Sequence, residues 1–361
     1  MSLPHETQTL WTRLRAAGAV AGEAPARNDG LPWYLAGLIG VSAWIAAGLL
    51  FGFFATLFDQ IWRSPDVAVA AGALCIAAAL ALLRIARGRE FFEQSAIALS
   101  LVGQLLVGIG FSEWFGDTAG WAGSAAVALV LYVSGAQTMQ RFLCGAVFAA
   151  AVVAICNELD TSGYGPSRIT LPVLAWLAFA AWWRAEYEDL RTLPVSPLAW
   201  ALSLAALSMA IVGDMLWADS AEICDSMFHA WDEDIYSDSD PCLPAFGWIE
   251  PLAMAMLLPM TALRLAGPFR PLPLLCAIVF ALVWRHVPGV NLGVMLMLVA
   301  FASNRPALLA ISAIGTAFYL VRYYYQLDVP LLEKSQWLLA GGVVLLTIRF
   351  VLMRAVQGGR T

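Results

Sequence analysis

The feature that most constrains this chain is a series of unbroken apolar runs. Val67–Leu83 contains no charged residue, and Trp337–Met353 carries only Arg349. A bilayer core about 30 Å thick takes about 20 apolar residues per helix. Barrel strands would instead alternate apolar and polar residues over about ten positions. Lipid offers no hydrogen-bond partners, so a continuous apolar run must satisfy its own backbone, and a helix does so. Composition points the same way: 61% of residues are hydrophobic and 13% charged, against about 25% charged in a soluble domain. So few charges cannot clothe a water-facing surface. The expected fold is all-α, a polytopic transmembrane helix bundle with no room for a large soluble domain.

About twelve spans are expected, over 33–58, 67–83, 94–114, 119–137, 142–156, 169–183, 197–217, 246–264, 271–285, 288–303, 306–324 and 337–353. This divides the chain into an N-terminal segment over 1–32, a bundle over 33–353 that includes a long loop over 218–245, and a tail over 354–361. The first segment has no short apolar core near Met1, so it does not read as a secretory signal. Leu10, Trp11, Leu14 and Ala17 fall at helical spacing beside Arg13 and Arg15. They describe a short amphipathic helix, lying on the membrane or packed on neighbouring loops.

Basic residues orient the bundle. With both termini cytoplasmic, fifteen fall inside (Arg13, Arg15, Arg27, Arg84, Arg87, Arg89, Arg141, Arg184, Arg191, Arg264, Arg270, Arg305, Arg349, Arg354 and Arg360) and five outside (Arg63, Arg168, Arg285, Arg322 and Lys334). That bias follows the positive-inside rule and predicts a bacterial inner-membrane protein whose 218–245 loop is periplasmic. Many of the fifteen Trp residues lie near span ends, among them Trp114, Trp182, Trp183 and Trp284, as an interfacial belt would place them. Gly40, Gly48 and Gly52 recur at multiples of four and predict a small-residue seam for helix packing.

The long loop holds Asp219, Glu222, Asp225, Asp232, Glu233, Asp234, Asp238 and Asp240 and no Lys or Arg. Cys224 and Cys242 bracket the densest acids, and in an oxidising periplasm a disulfide between them is expected. Closing such a loop is worth about 3 kcal/mol in the chain-entropy model. The acids offer hard oxygen ligands, but the alternating calcium-loop pattern with its central Gly is missing. A solvated acidic loop is the expectation, with no metal site. Three His residues (His5, His229 and His286) assemble no zinc spacing with the cysteines.

Ionisable residues at membrane depth would be functional by default, and few occur. Gln104 is mid-span, where an amide is expected to bond a neighbouring helix. Asp214 lies about a turn from a span end. The densest polar stretch is Arg322-Tyr323-Tyr324-Tyr325-Gln326-Leu327-Asp328 followed by Glu333-Lys334-Ser335. It reads as an interfacial cap or a docking surface, with Arg322 paired to Asp328 or Glu333. No phosphate-cradling Gly-rich loop, nucleophile elbow or His-Glu-x-x-His motif is present, so neither a catalytic residue nor a cofactor is expected. No basic stripe with interleaved aromatics suggests nucleic acid.

Leu14-Arg15-Ala16-Ala17-Gly18, Leu31-Pro32-Trp33-Tyr34, Phe92-Glu93-Gln94 through Gly103-Gln104, and Tyr324-Tyr325-Gln326-Leu327-Asp328 through Leu332-Glu333-Lys334-Ser335 resemble bacterial domain-of-unknown-function 4401 proteins over essentially the whole chain. The resemblance implies a multi-pass protein without an established activity. It also implies genes beside two others, one for a multi-pass membrane protein and one for a small protein with a Gly-Asp-Tyr…Leu…Tyr motif. It transfers no catalytic residue. The expectation is a non-enzymatic subunit of an envelope membrane complex, partnered by lipid and by neighbouring membrane proteins. The alternatives are a transporter or lipid-handling carrier and, behind it, a membrane enzyme acting on a lipid-linked substrate.

Overall fold

A computed structural model describes residues 13, 15–18, 41, 42, 45, 48, 49, 52, 64–85, 90–135, 137–159, 167–186, 194–229, 249–266, 271–284, 287–326, 335, 336, 339, 341–343, 345–347, 349, 350 and 354. At the ends of these segments and over 213–229 the description covers the backbone only. The described residues are helical throughout, apart from short turns. The helices are α1 (Pro65–Ile85), α2 (Glu90–Phe115), α3 (Asp117–Ser134), α4 (Thr138–Leu159), α5 (Ser167–Ala185), α6 (Ser196–His229), α7 (Ile249–Ala266), α8 (Pro271–Val283), α9 (Pro288–Ala302) and α10 (Pro306–Gln326). Described positions from 41 to 52 and from 335 to 354, within the first and last expected spans, are also helical.

Local chemistry explains the boundaries. Proline opens α1, α8, α9 and α10, where its missing N–H costs nothing and its fixed φ suits the first turn. Gly116 alone separates α2 from α3, with φ +89° and ψ 167°. That region is essentially closed to residues with a Cβ. Asn304, with φ +53°, turns the chain between α9 and α10 in a conformation Asn tolerates. At the N-terminal end, Gly18 has φ +67° and its N–H bonds the Arg15 carbonyl at 3.1 Å, which stops the short helical segment there.

The long helices have the length and apolarity that bilayers demand. Pro65–Ile85, Phe91–Phe115, Thr138–Glu158 and Pro306–Tyr325 are each long and apolar enough to cross a membrane. Shorter apolar helices are Ile169–Ala185, Ser196–Val212, Pro251–Leu265, Pro271–Val283 and Pro288–Ala302. Large apolar side chains face outward, such as Leu74 at 71% and Ile314 at 70% exposure. Water would make such a surface costly; lipid covers it without penalty.

The core is built around α6, which packs against α4, α5, α9 and α10. Leu174, Trp182, Leu202, Met254, Leu257, Leu292, Met295 and Leu296 are buried to 2% exposure or less. Small residues bring backbones together elsewhere. A Cβ on Gly103 of α2 would sit 2.8 Å from the Gly72 carbonyl of α1, and one on Gly72 the same distance from the Gly103 carbonyl. On α9, a Cβ at Gly289 would meet the Tyr319 ring at 2.6 Å, and one at Gly293 would collide with the Thr316 hydroxyl.

The expected seam of Gly40, Gly48 and Gly52 lies mostly outside the described residues. Two expectations need correction. Trp182 is no belt residue. It is 1% exposed, and its Nε1 donates to Ser203 Oγ at 2.8 Å. The loop expected from 218 begins later, because α6 continues through His229. The stretch from Asp214 to His229 has no Gly or Pro to stop a helix.

Candidate functional site

The helix ends form two rims. At one, called here the arginine-rich rim, cations tie helices together. The Tyr132 hydroxyl of α3 donates to the Pro194 carbonyl at 2.5 Å, and Arg141 Nε of α4 donates to the Tyr132 carbonyl at 3.3 Å. Arg264 Nη2 of α7 donates to the Trp183 carbonyl at 2.9 Å and to Glu186 Oε2 at 2.7 Å. Its guanidinium carbon lies 4.0 Å from the centre of the Trp183 ring. Arg305 Nη1 donates to Ser196 Oγ at 2.8 Å, and its guanidinium lies over Trp182 at 4.7 Å. These are hydrogen-bonded and cation–π anchors.

The opposite rim, where α8 turns into α9 and α10 ends, has a different character. Gly289 on Tyr319 and Gly293 on Thr316 set α9 and α10 antiparallel in direct contact. Carried on by one turn, that register brings Arg322 to the level of the Trp284–Val287 turn. Tyr319 and Tyr323 stack with centroids 6.2 Å apart, and both pack on the apolar core. Both terminal nitrogens of Arg322, Nη1 and Nη2, are buried and have no hydrogen-bond partner. Asp328 and Glu333, the partners expected for Arg322, lie outside the described residues. Trp284 Nε1 and Asn291 Oδ1 are likewise buried and unpartnered, while Asn291 Nδ2 donates to the Trp284 carbonyl at 3.3 Å.

Tyr324 is half-buried and meets Tyr325 edge-on at 5.7 Å. Tyr325 is 78% exposed. Gln326 ends α10. Asp328, Glu333, Lys334 and Cys242 lie outside the described residues. Asp214 and Cys224 both fall on α6, with only their backbone described. The proposed cysteine pairing therefore also lies outside the described atoms.

Gln104 sits away from either group. It is 1% exposed, and its Nε2 donates to the Ser100 carbonyl of its own helix at 3.3 Å. Gln140 lies one turn before Cys144 on α4 and is equally buried. Its two amide atoms and Gln104 Oε1 have no partner.

Sequence reading missed Asn291 and Gln140. A signal for Asn291 was present: it is the one amide in a helix otherwise made of apolar residues, Gly and Pro. Gln140 gave less warning, being next to Arg141 at a helix start. Among the described residues no three His, Cys, Asp or Glu side chains come together as a metal site. The opposite rim instead presents unmet N–H donors, chemistry suited to an anionic oxygen.

The fold and its outward apolar faces define an all-helical, membrane-embedded protein. The chain belongs to the family described as Domain of unknown function (DUF4401), whose model matches residues 32–355, nearly the whole chain. No curated protein and no solved structure matches it.

Proposed function

We propose that this protein is a non-enzymatic subunit of a membrane complex in the bacterial inner membrane, crossing the bilayer about twelve times with both termini cytoplasmic. The observation that carries this reading is the close packing of the bundle interior. Gln104, the mid-span polar group a translocation path would use, is shut inside the bundle at 1% exposure. The centre around α6 is filled by Leu, Met, Ala and Trp side chains. Such an interior favours a scaffold over a carrier. The docking surface is the rim beyond α10, where Tyr325 is exposed, together with the acidic loop and its Cys224–Cys242 disulfide.

The test is affinity purification of a tagged copy at native expression in mild detergent, with mass spectrometry of what accompanies it. A stoichiometric membrane partner, lost when Tyr325 is replaced by Ala, supports the subunit reading. A solitary, stable protein overturns it. Reporter fusions at Asp234 and Thr361 should report outside and inside respectively. Thiol labelling of unreduced protein should leave Cys224 and Cys242 unmodified, and labelling of both would remove the disulfide.

A further inference from the structure

Arg322 combines two properties that rarely coexist in a cationic side chain: its terminal nitrogens are buried, and neither has a partner. Burying an unpaired charge is strongly unfavourable, so this geometry calls for an anionic acceptor. The positive-inside bias would place cations at the other rim, which makes a cation here harder to explain as topology alone.

Depth narrows the class of anion. Arg322 stands three residues before the end of the Pro306–Tyr325 segment, about 4.5 Å along a helix axis. In a segment that spans the hydrocarbon, that is headgroup level. Tyr323, Tyr324 and Tyr325 follow it with the residue type that favours the interface. A guanidinium fork matches phosphate oxygens two at a time. The Trp284 indole N–H, whose ring lies against Gly341, is another buried donor at this rim without a partner.

We propose that Arg322 binds the phosphate group of a membrane phospholipid, with two parallel N–H bonds from the guanidinium. The lipid acts as an integral part of the rim at the end of α10. This inference needs membrane embedding but not the subunit reading, so either can fail alone.

The full chain, purified in alkyl maltoside and stripped of lipid, should be titrated with phosphatidylglycerol and followed by native mass spectrometry and thermal unfolding. One retained phosphatidylglycerol and a higher Tm are expected. Arg322→Gln should weaken that binding at least tenfold, and Arg322→Lys should weaken it less. Asp328→Asn and Glu333→Gln should leave it unchanged. Unaltered lipid binding by Arg322→Gln overturns the proposal. So does stabilisation by inorganic phosphate that matches the lipid, which would assign a soluble anion. If loss of Asp328 or Glu333 abolishes lipid stabilisation, the acceptor is a carboxylate of this chain and the proposal falls. Should Arg322→Gln fail to fold, the wild-type protein decides: diacylglycerol, which lacks phosphate, must stabilise far less than phosphatidylglycerol, and equal stabilisation overturns the site.

Discussion

The two rims treat their cations in opposite ways. At the arginine-rich rim, Arg264 joins α7 to the end of α5, and Arg305 joins the α9–α10 turn to α5 and α6. Each finds a carbonyl, hydroxyl or carboxylate and an aromatic face. At the opposite rim, Arg322 is enclosed with its terminal nitrogens unbonded. The same side chain therefore has two physical roles. Where water is near, a paired guanidinium fastens helix ends at little desolvation cost. Where it is enclosed, the guanidinium is a demand for a partner from outside the chain. Arginine count alone, which orients the bundle, does not separate the two.

The largest expected effect comes from disturbing the α9–α10 contact that holds Tyr319 and Arg322 in place. Gly293→Val would drive a side chain into Thr316, and overpacking of this kind costs about 3 kcal/mol. Thermal unfolding in detergent should show the drop, and the phosphatidylglycerol-dependent gain in Tm should shrink with it. An unchanged Tm would mean that α9 and α10 separate freely and that the rim is not rigid.

Arg305→Ala should come next, at about 2 kcal/mol, from one hydrogen bond to Ser196 and the cation–π contact with Trp182. The Trp emission of the folded protein should shift with it. Arg322→Met should behave in the reverse sense. In lipid-free detergent, replacing an unpaired buried cation by an apolar chain of similar size should leave stability unchanged or raise it by about 1 kcal/mol. A clear loss of stability without lipid would show that the cation is already paired within the chain. The contrast between Arg305→Ala and Arg322→Met is the most direct measure of how the rims differ.

Glu186→Gln should have the smallest effect, below about 1 kcal/mol. The Glu186 side chain is 36% exposed, and exposed ion pairs contribute little. Arg264 keeps the Trp183 carbonyl and ring after the change. A loss well above that value in a chemical denaturation series would mean that the pair is shielded from water in the assembled protein.

Most helices were legible because their signal is local. The run from Val67 to Leu83 appears as α1 almost unchanged, and 288–303 appears as α9 with its opening Pro and first turn in place. The span expected over 142–156 proved longer, as Thr138–Leu159, since polar residues at its ends join the helix without raising hydropathy. The same blindness hid the extension of α6 to His229. Beyond Val212 the chain turns polar, yet nothing in it breaks a helix. The site was legible only in part. Arg322 and its tyrosines stood out as a polar stretch, but the burial of the Arg322 terminal nitrogens did not. Trp284 was read as a belt residue, although its N–H is enclosed at the same rim.

The sequence by itself determined that this chain is all-helical and apolar enough to enter a membrane. Backbone hydrogen bonding and the energy of apolar surface in lipid depend only on runs of residues along one segment. The tertiary structure alone decided that Gly72 and Gly103 meet, that Trp182 is core, and that the terminal nitrogens of Arg322 are buried without a bond. Each of these depends on which helix lies opposite and in what register. Hydropathy carries no record of that, because every neighbouring helix is as apolar as the lipid it displaces.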